Sequence, residues 1–205
     1  RRASLGIIRI ILENKLDIDL DYLIHLTKAN FDMSDLQLFL KDRIINYLTE
    51  KNYQKKVVEA VVKQYKLDFL PNLPIVIGEI TEFISSEHGV RLLAVYKRVS
   101  NLLSSNKEFL SSKKKFSKQR ATEEDKTLQK QLTLIKEQVE ESLQHKDFKK
   151  ALLELGSIIN PVNQFLDNVQ VNCEDKDLRN LRYSLLNQIS ETTDSVVVFS
   201  ELDKK

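Results

Sequence analysis

Helix breakers are almost absent from this chain. It holds four glycines and three prolines in 205 residues, where average usage would supply about 25. Few positions free the backbone for turns or lock it out of a helix, and apolar residues recur at helical spacing nearly throughout. The expected fold class is therefore all-α, a helical bundle of about ten helices. Apolar residues make up 41% of the chain and charged residues 30%, which suits helices with one wet face. Every apolar run falls short of the ~20 residues that a membrane span needs, so no membrane partner is expected. The single cysteine, Cys173, excludes an internal disulfide. It suits a reducing cytosol, and a cytoplasmic location is expected.

Periodicity sets the elements. Ala3, Leu5, Ile8 and Leu12 form one stripe of a first helix, and Gly6 within it suggests a close approach of another helix. Asp19 can cap a short helix near 20–29, and Ser34 with Gln37 reads as a capping box for a longer one. A helix near 54–66 is followed by LPNLP, a stop signal, because each proline disfavours helix in the residue before it. Helices near 74–86 and over VRLLAVYKRVSNLL are separated by EHG. Residues 104–124, rich in Ser and Lys and without a period, read as a linker. Thr122 with Asp125 can cap the next helix, whose stripe is Leu128, Leu132, Ile135, Val139 and Leu143. Asp147 caps a helix running to Ile159, Pro161 starts a short one, and Asp175 or Asp177 opens a long last helix. The expected organisation is a basic helical subdomain over 1–103, the linker, and a C-terminal helical subdomain over 125–205.

The signatures of catalysis are missing. The glycines are scattered and make no phosphate loop. His25, His88 and His145 lie far from one another and from Cys173, so no local metal pair exists. They suit surface or helix-end positions, and Cys173 suits a buried inert thiol. Neither a catalytic site nor a bound cofactor or metal is expected in this chain.

Charge is distributed unevenly. Residues 1–120 carry a net +7 and residues 121–205 a net −5, and a basic first part points to a polyanionic partner. Cations also stand beside aromatics: Tyr96, Lys97 and Arg98 in succession, Arg43 one turn from Tyr47, and Arg179 and Arg182 next to Tyr183. Aromatics can stack on unpaired bases while Arg and Lys hold phosphates or base edges, a combination suited to a single-stranded RNA loop. The same pattern is also produced by surface cations over half-buried tyrosines. A helical protein-interaction scaffold without an RNA role is the alternative.

Four blocks, RRASLGIIRIILE, FLKDRIINYL, AVYKRVSNLL and NPVNQFLDNVQVNCEDKDLRNLRYSLLNQI, resemble in order and spacing the C-terminal part of the bacterial glycyl-tRNA synthetase beta subunit family. The last block is similar to the DALR-type anticodon-binding domain also found in arginyl-tRNA synthetases. The resemblance implies an all-helical domain that binds the anticodon of glycine tRNA. It also implies a parent enzyme of two alpha and two beta subunits that uses ATP and Mg, with the glycine-activating site on the alpha subunit, and further chain before Arg1. Arg2, Arg9, Arg43, Tyr96, Lys97, Arg98, Arg179 and Arg182 match the family's blocks and are the candidate tRNA-binding residues. Arg1, Gly6, Asp42, Tyr47 and Asn101 also match the family pattern. Three positions depart from it: the family usually has Asp at 163, Phe at 166 and Met at 170, where this chain has Asn163, Leu166 and Gln170. The 104–124 segment lacks the family's acidic, Pro-containing stretch.

Overall fold

A computed structural model of the protein describes residues 2–26, 32–106 and 121–202. Among these residues the regular structure is entirely helical: α1 (Arg2–Glu13), α2 (Leu20–Leu26), α3 (Met33–Glu50), α4 (Lys55–Gln64), a 3₁₀ segment (Leu67–Asn72), α5 (Leu73–Ser85), α6 (Glu87–Ser105), α7 (Glu123–Gln144), α8 (Phe148–Gly156), α9 (Ile159–Asn168), α10 (Lys176–Asp194) and the one-turn α11 (Phe199–Leu202). The all-α fold expected from the sequence is the fold observed. Two compact units are present, one of Arg1–Thr81 with Ser200–Lys205, the other of Glu82–Phe199. This division differs from the expected one at 104–124. The stripe Leu92, Val95, Tyr96, Val99 and Leu103 of α6 is buried, and α6 packs on α8, α9 and α10 rather than staying with the helices before it. Most of the expected linker, residues 107–120, lies outside the described residues, as do Arg1 and the 27–29 end of the expected second helix.

In the first unit α1 packs on α3, and α3 on α4. Ile8 and Ile11 of α1 are buried with Leu40, Ile44, Tyr47 and Leu48 of α3 and a run of α4 valines. The Tyr47 hydroxyl donates to Glu13 at 2.9 Å. That bond, ahead of Arg9 and Lys51 nearby, holds the Glu13 carboxyl below the usual carboxylate range. The cap of α3 is Asp32 rather than Ser34: its carboxylate accepts from Ser34 N at 2.8 Å and Asp35 N at 3.4 Å. A carboxylate is a stronger acceptor for these donors than a hydroxyl and also meets the positive end of the helix. A Cβ at Gly6 would touch nothing within 4 Å, so among the described residues the expected close approach there is not found. The helix near 54–66 ends at Gln64, just before LPNLP, and a new helix, α5, begins at Leu73. Pro71 sits in the 3₁₀ segment and Pro74 in the first turn of α5, where a missing N–H costs no helical bond.

The second unit starts with a sharp corner. The break falls at Ser86, whose hydroxyl accepts from Gly89 N at 3.1 Å, and Glu87, His88 and Gly89 form the first turn of α6. A Cβ on Gly89 would lie 2.0 Å from the Phe83 carbonyl oxygen, so only glycine lets the two helices meet this tightly. The expected capping box of α7 is present, with Asp125 accepting from Thr122 N at 2.9 Å. Leu128, Leu132, Ile135 and Val139 are buried, and the stripe ends on buried Ser142 rather than Leu143. α8 stops at Gly156, so Ile159 opens α9, with Pro161 in its first turn. Asp175 is the cap of α10, accepting from Asp177 N at 2.9 Å and Leu178 N at 3.1 Å.

One charged pair lies inside this unit. Asp125 is fully buried and Arg182 is 7% exposed. Arg182 Nε donates to Asp125 Oδ1 at 3.2 Å, and its Nη1 donates to the Gln170 carbonyl at 2.8 Å. The pair ties the start of α7 to the middle of α10 and to the turn after α9. Two buried charges that hydrogen-bond each other tolerate each other, but either one alone is costly.

Two outcomes follow for stability. Leu132→Ala should lower the unfolding free energy by about 2–5 kcal/mol in a denaturant titration. Leu134→Ala, on the same helix but 56% exposed, should change it by less than about 0.5 kcal/mol. Asp125→Ala strands the Arg182 charge and also removes the capping box, so it should cost about 3–5 kcal/mol. Unchanged unfolding of Asp125→Ala would show that the pair does not hold the unit together.

Candidate functional site

No group of three or more His, Cys, Asp or Glu among the described residues could hold a metal ion. The three histidines are exposed, and His145 follows the last turn of α7, with Nδ1 2.8 Å from the Glu141 carbonyl. Cys173 is half-buried rather than buried, its thiol 3.5 Å from the Asp175 carbonyl. The arrangement offers binding surfaces, and the cations define them.

The eight residues singled out by sequence are placed very differently. Arg2 and Arg9 are exposed on α1, with Arg9 3.5 Å from Glu13. Arg43 is half-buried, its guanidinium 5.1 Å from the centre of the Phe39 ring. All three belong to the first unit. The other five belong to the second. Arg182 is a correction: its guanidinium is sunk in the pair with Asp125, where no nucleic acid reaches it. Arg179 is half-buried against the turn before α10, donating to the Cys173 carbonyl at 3.2 Å. Tyr96 is 5% exposed and packs its ring on Phe199, with centroids 5.4 Å apart. It therefore offers no stacking face to a base.

Lys97 and Arg98 remain at the surface of α6. Arg98 reaches across to α9, donating from Nη1 to Asn163 Oδ1 and from Nη2 to Asp167 Oδ1, both at 2.7 Å. Two turns earlier Arg91, also exposed, donates to Asn160 Oδ1 at 3.2 Å. These contacts make a polar seam between two parallel rows of side chains, Arg91 and Arg98 on α6 and Asn160, Asn163 and Asp167 on α9. Ion pairs this exposed add about 0–1 kcal/mol to stability, so their effect is to orient. A guanidinium carries five N–H donors, and the α9 acceptors fix the plane of Arg98 while using one hydrogen on each terminal nitrogen. Asn163 accepts from Arg98 as a neutral amide, so it leaves the arginine's positive charge uncompensated where a carboxylate would offset it.

Arg91 is the seam residue that sequence reasoning missed. Its signal was its place seven residues before Arg98, two helical turns away on the same face. Arg182 carried the opposite signal. It lies on the stripe Leu178, Arg182, Leu185, Ile189, just as Asp125 begins the stripe through Leu128, Leu132 and Ile135. A charge in line with an apolar stripe requires a buried partner.

Comparison with known proteins places this geometry. The DALR anticodon binding domain family matches residues 92–196, which contain Lys97, Arg98 and all of α7 to α10. The glycyl-tRNA synthetase beta subunit family matches residues 1–63. The chain is 36% identical over 207 residues to the glycine–tRNA ligase beta subunit of Rickettsia peacockii (strain Rustic). It is 37% identical over 207 residues to that of Rickettsia conorii (strain ATCC VR-613 / Malish 7), and 34% over 215 residues to that of Rickettsia typhi (strain ATCC VR-144 / Wilmington). In each case the similarity covers 98% of this chain and 30% of the relative, so the chain spans about 30% of the length of these relatives. With more than half of its residues matched to one family, the chain belongs to the DALR anticodon binding domain family.

Proposed function

We propose that this chain is the tRNA-binding part of a glycine–tRNA ligase beta subunit, and that the Glu82–Phe199 unit contacts the anticodon end of glycine tRNA along the α6–α9 seam. The observation that carries this is the orientation of Arg98. An exposed arginine held flat by Asn163 and Asp167, beside exposed Lys97 and within the matched range, combines a directed donor fork with a point charge. Lysine suits a phosphate and arginine a base edge or a phosphate, which divides positioning from reading. The seam's hydrogen bonds are formed within the chain itself, so less ordering entropy is lost if RNA binds it as it stands.

The chemistry of glycylation is assigned elsewhere. The partner is an alpha subunit, in a cytoplasmic assembly of two alpha and two beta subunits, where ATP and Mg serve glycine activation. The described residues of this chain hold no group of three or more metal-ligating side chains, and the four glycines of the sequence make no phosphate loop. No helix among them is long and apolar enough to cross a membrane.

Binding of glycine tRNA should weaken steeply with salt, with a log–log slope near −0.7 for each single-strand phosphate contact. Lys97→Ala should make that slope shallower by about 0.7. Glycylation by the reconstituted two-subunit enzyme measures reading. Arg98→Lys, which keeps the charge but loses the fork, should reduce discrimination among anticodon variants more than Lys97→Arg does. A flat salt response, or charging and anticodon preference untouched in both Lys97→Ala and Arg98→Ala, would assign the seam to structure. The helices would then fit a protein-interaction scaffold.

A further inference from the structure

On its other flank α9 meets α7, and there the surface changes character. A cavity of about 300 Å³ opens between the two helices, at the lower end of the range for ligand pockets. Leu128 and Phe165, 2% and 3% exposed, lie at its bottom with Pro161. The exposed amides of Gln131, Gln164 and Asn168 stand around it, with Glu123 and Glu124 at its α7 end. The lining contains no cation. A phosphate is thereby disfavoured: it would face the carboxylates of Glu124 and of Glu123, the latter paired at 2.8 Å with Lys126 outside the lining. What fits is flat, uncharged, apolar on its faces and hydrogen-bonding at its edge.

The position of the cavity says where such a group would come from. Asn160, Asn163 and Asp167 look toward α6, and Pro161, Gln164 and Asn168 toward α7, so they occupy neighbouring arcs of one helix. A helix with its side chains is about 10–12 Å across. A single strand lying along α9 can therefore keep phosphates over the arginine seam while turning a base over the helix.

We propose that the α7–α9 cavity receives one unstacked base of the bound RNA, a base carrying an exocyclic amino group. Side-chain amides present a donor and an acceptor to a base edge, and carboxylates accept from an amino group. The Glu124 carboxyl is held below the usual range, chiefly by its own backbone N–H, and like any exposed carboxylate it accepts hydrogen bonds at neutral pH. Uracil, which has a carbonyl where cytosine has the amino group, would turn an oxygen toward these carboxylates.

This inference rests on the RNA-binding function proposed above, and one experiment separates the two. The probes are single-stranded oligoribonucleotides with the sequence of the glycine tRNA anticodon loop, with each cytosine replaced in turn by uracil, bound to the full chain at several salt concentrations. One variant is Gln164→Ala with Asn168→Ala; a second, Thr127→Phe, fills the cavity from its rim. Both should weaken binding by about tenfold at the parent sequence while leaving the salt slope unchanged, because no phosphate contact is lost. Both should also erase the preference for cytosine over uracil at one position. Parent-like affinity and preference in the two variants, with RNA still bound, would overturn the base-pocket assignment alone. Failure of the unmodified chain to bind any of the oligonucleotides or the tRNA would overturn it together with the proposed function.

Discussion

The Asp125–Arg182 pair is the contact on which the Glu82–Phe199 unit depends. The two carboxylate oxygens divide their partners. Oδ2 accepts from Thr122 N and Oγ1, closing the capping box that starts α7, and Oδ1 accepts from Arg182 Nε. The same guanidinium reaches the Gln170 carbonyl in the turn that follows α9. Three segments distant in sequence are thus fixed by one pair of side chains, at a point where water is excluded. Replacing such a pair with well-packed apolar residues is often neutral for stability, so its value here is geometric. It sets where α7 begins, and with it the placement of α9 between α6 and α7.

That placement gives α9 two dissimilar flanks. Toward α6 its acceptors hold the exposed guanidinium groups of Arg98 and Arg91 in one polar row. Toward α7 it faces amides over an apolar floor, with Glu123 and Glu124 at one end. A nucleic-acid strand has the same two-sided chemistry, with charge along its backbone and neutral hydrogen-bonding edges on its bases. The match between the two flanks and the two halves of a nucleotide is the physical content of the proposed function. Arg9, beside Glu13, is exposed at the surface but is not held in a directed row.

Much of the fold was legible in the sequence because scarce Gly and Pro left few places for helices to end. The α7 stripe and its Thr122–Asp125 box could be read directly, since both depend on spacing within one helix. Errors gathered where two signals competed or where the deciding contact came from afar. Asp32 displaced Ser34 because both can cap and the carboxylate binds the first-turn N–H groups more strongly. The corner at Ser86 was misplaced onto Gly89, because a glycine signals a turn in sequence whereas here it answers the carbonyl of Phe83 across the corner. The domain boundary was set by loss of periodicity at 104–124, yet the tertiary packing of α6 on α9 and α10 decided it. For the candidate site, the pairing of Lys97 with Arg98 was visible, but Arg182 beside Tyr183 looked like a surface cation next to an aromatic. Its partner lies 57 residues away, and only its place on an apolar stripe could have warned of burial.

If RNA lies along the outward arc of α9, site-specific photo-crosslinking will detect it there. A benzophenone side chain at Gln164, exposed on that arc, is compared with one at Leu153, exposed on α8 at 61%, in the chain bound to glycine tRNA. Crosslinks are expected from position 164 to anticodon-loop nucleotides, with background levels from position 153. Crosslinks from 153 with none from 164, or crosslinks from 164 confined to the acceptor stem, would contradict this placement of the RNA.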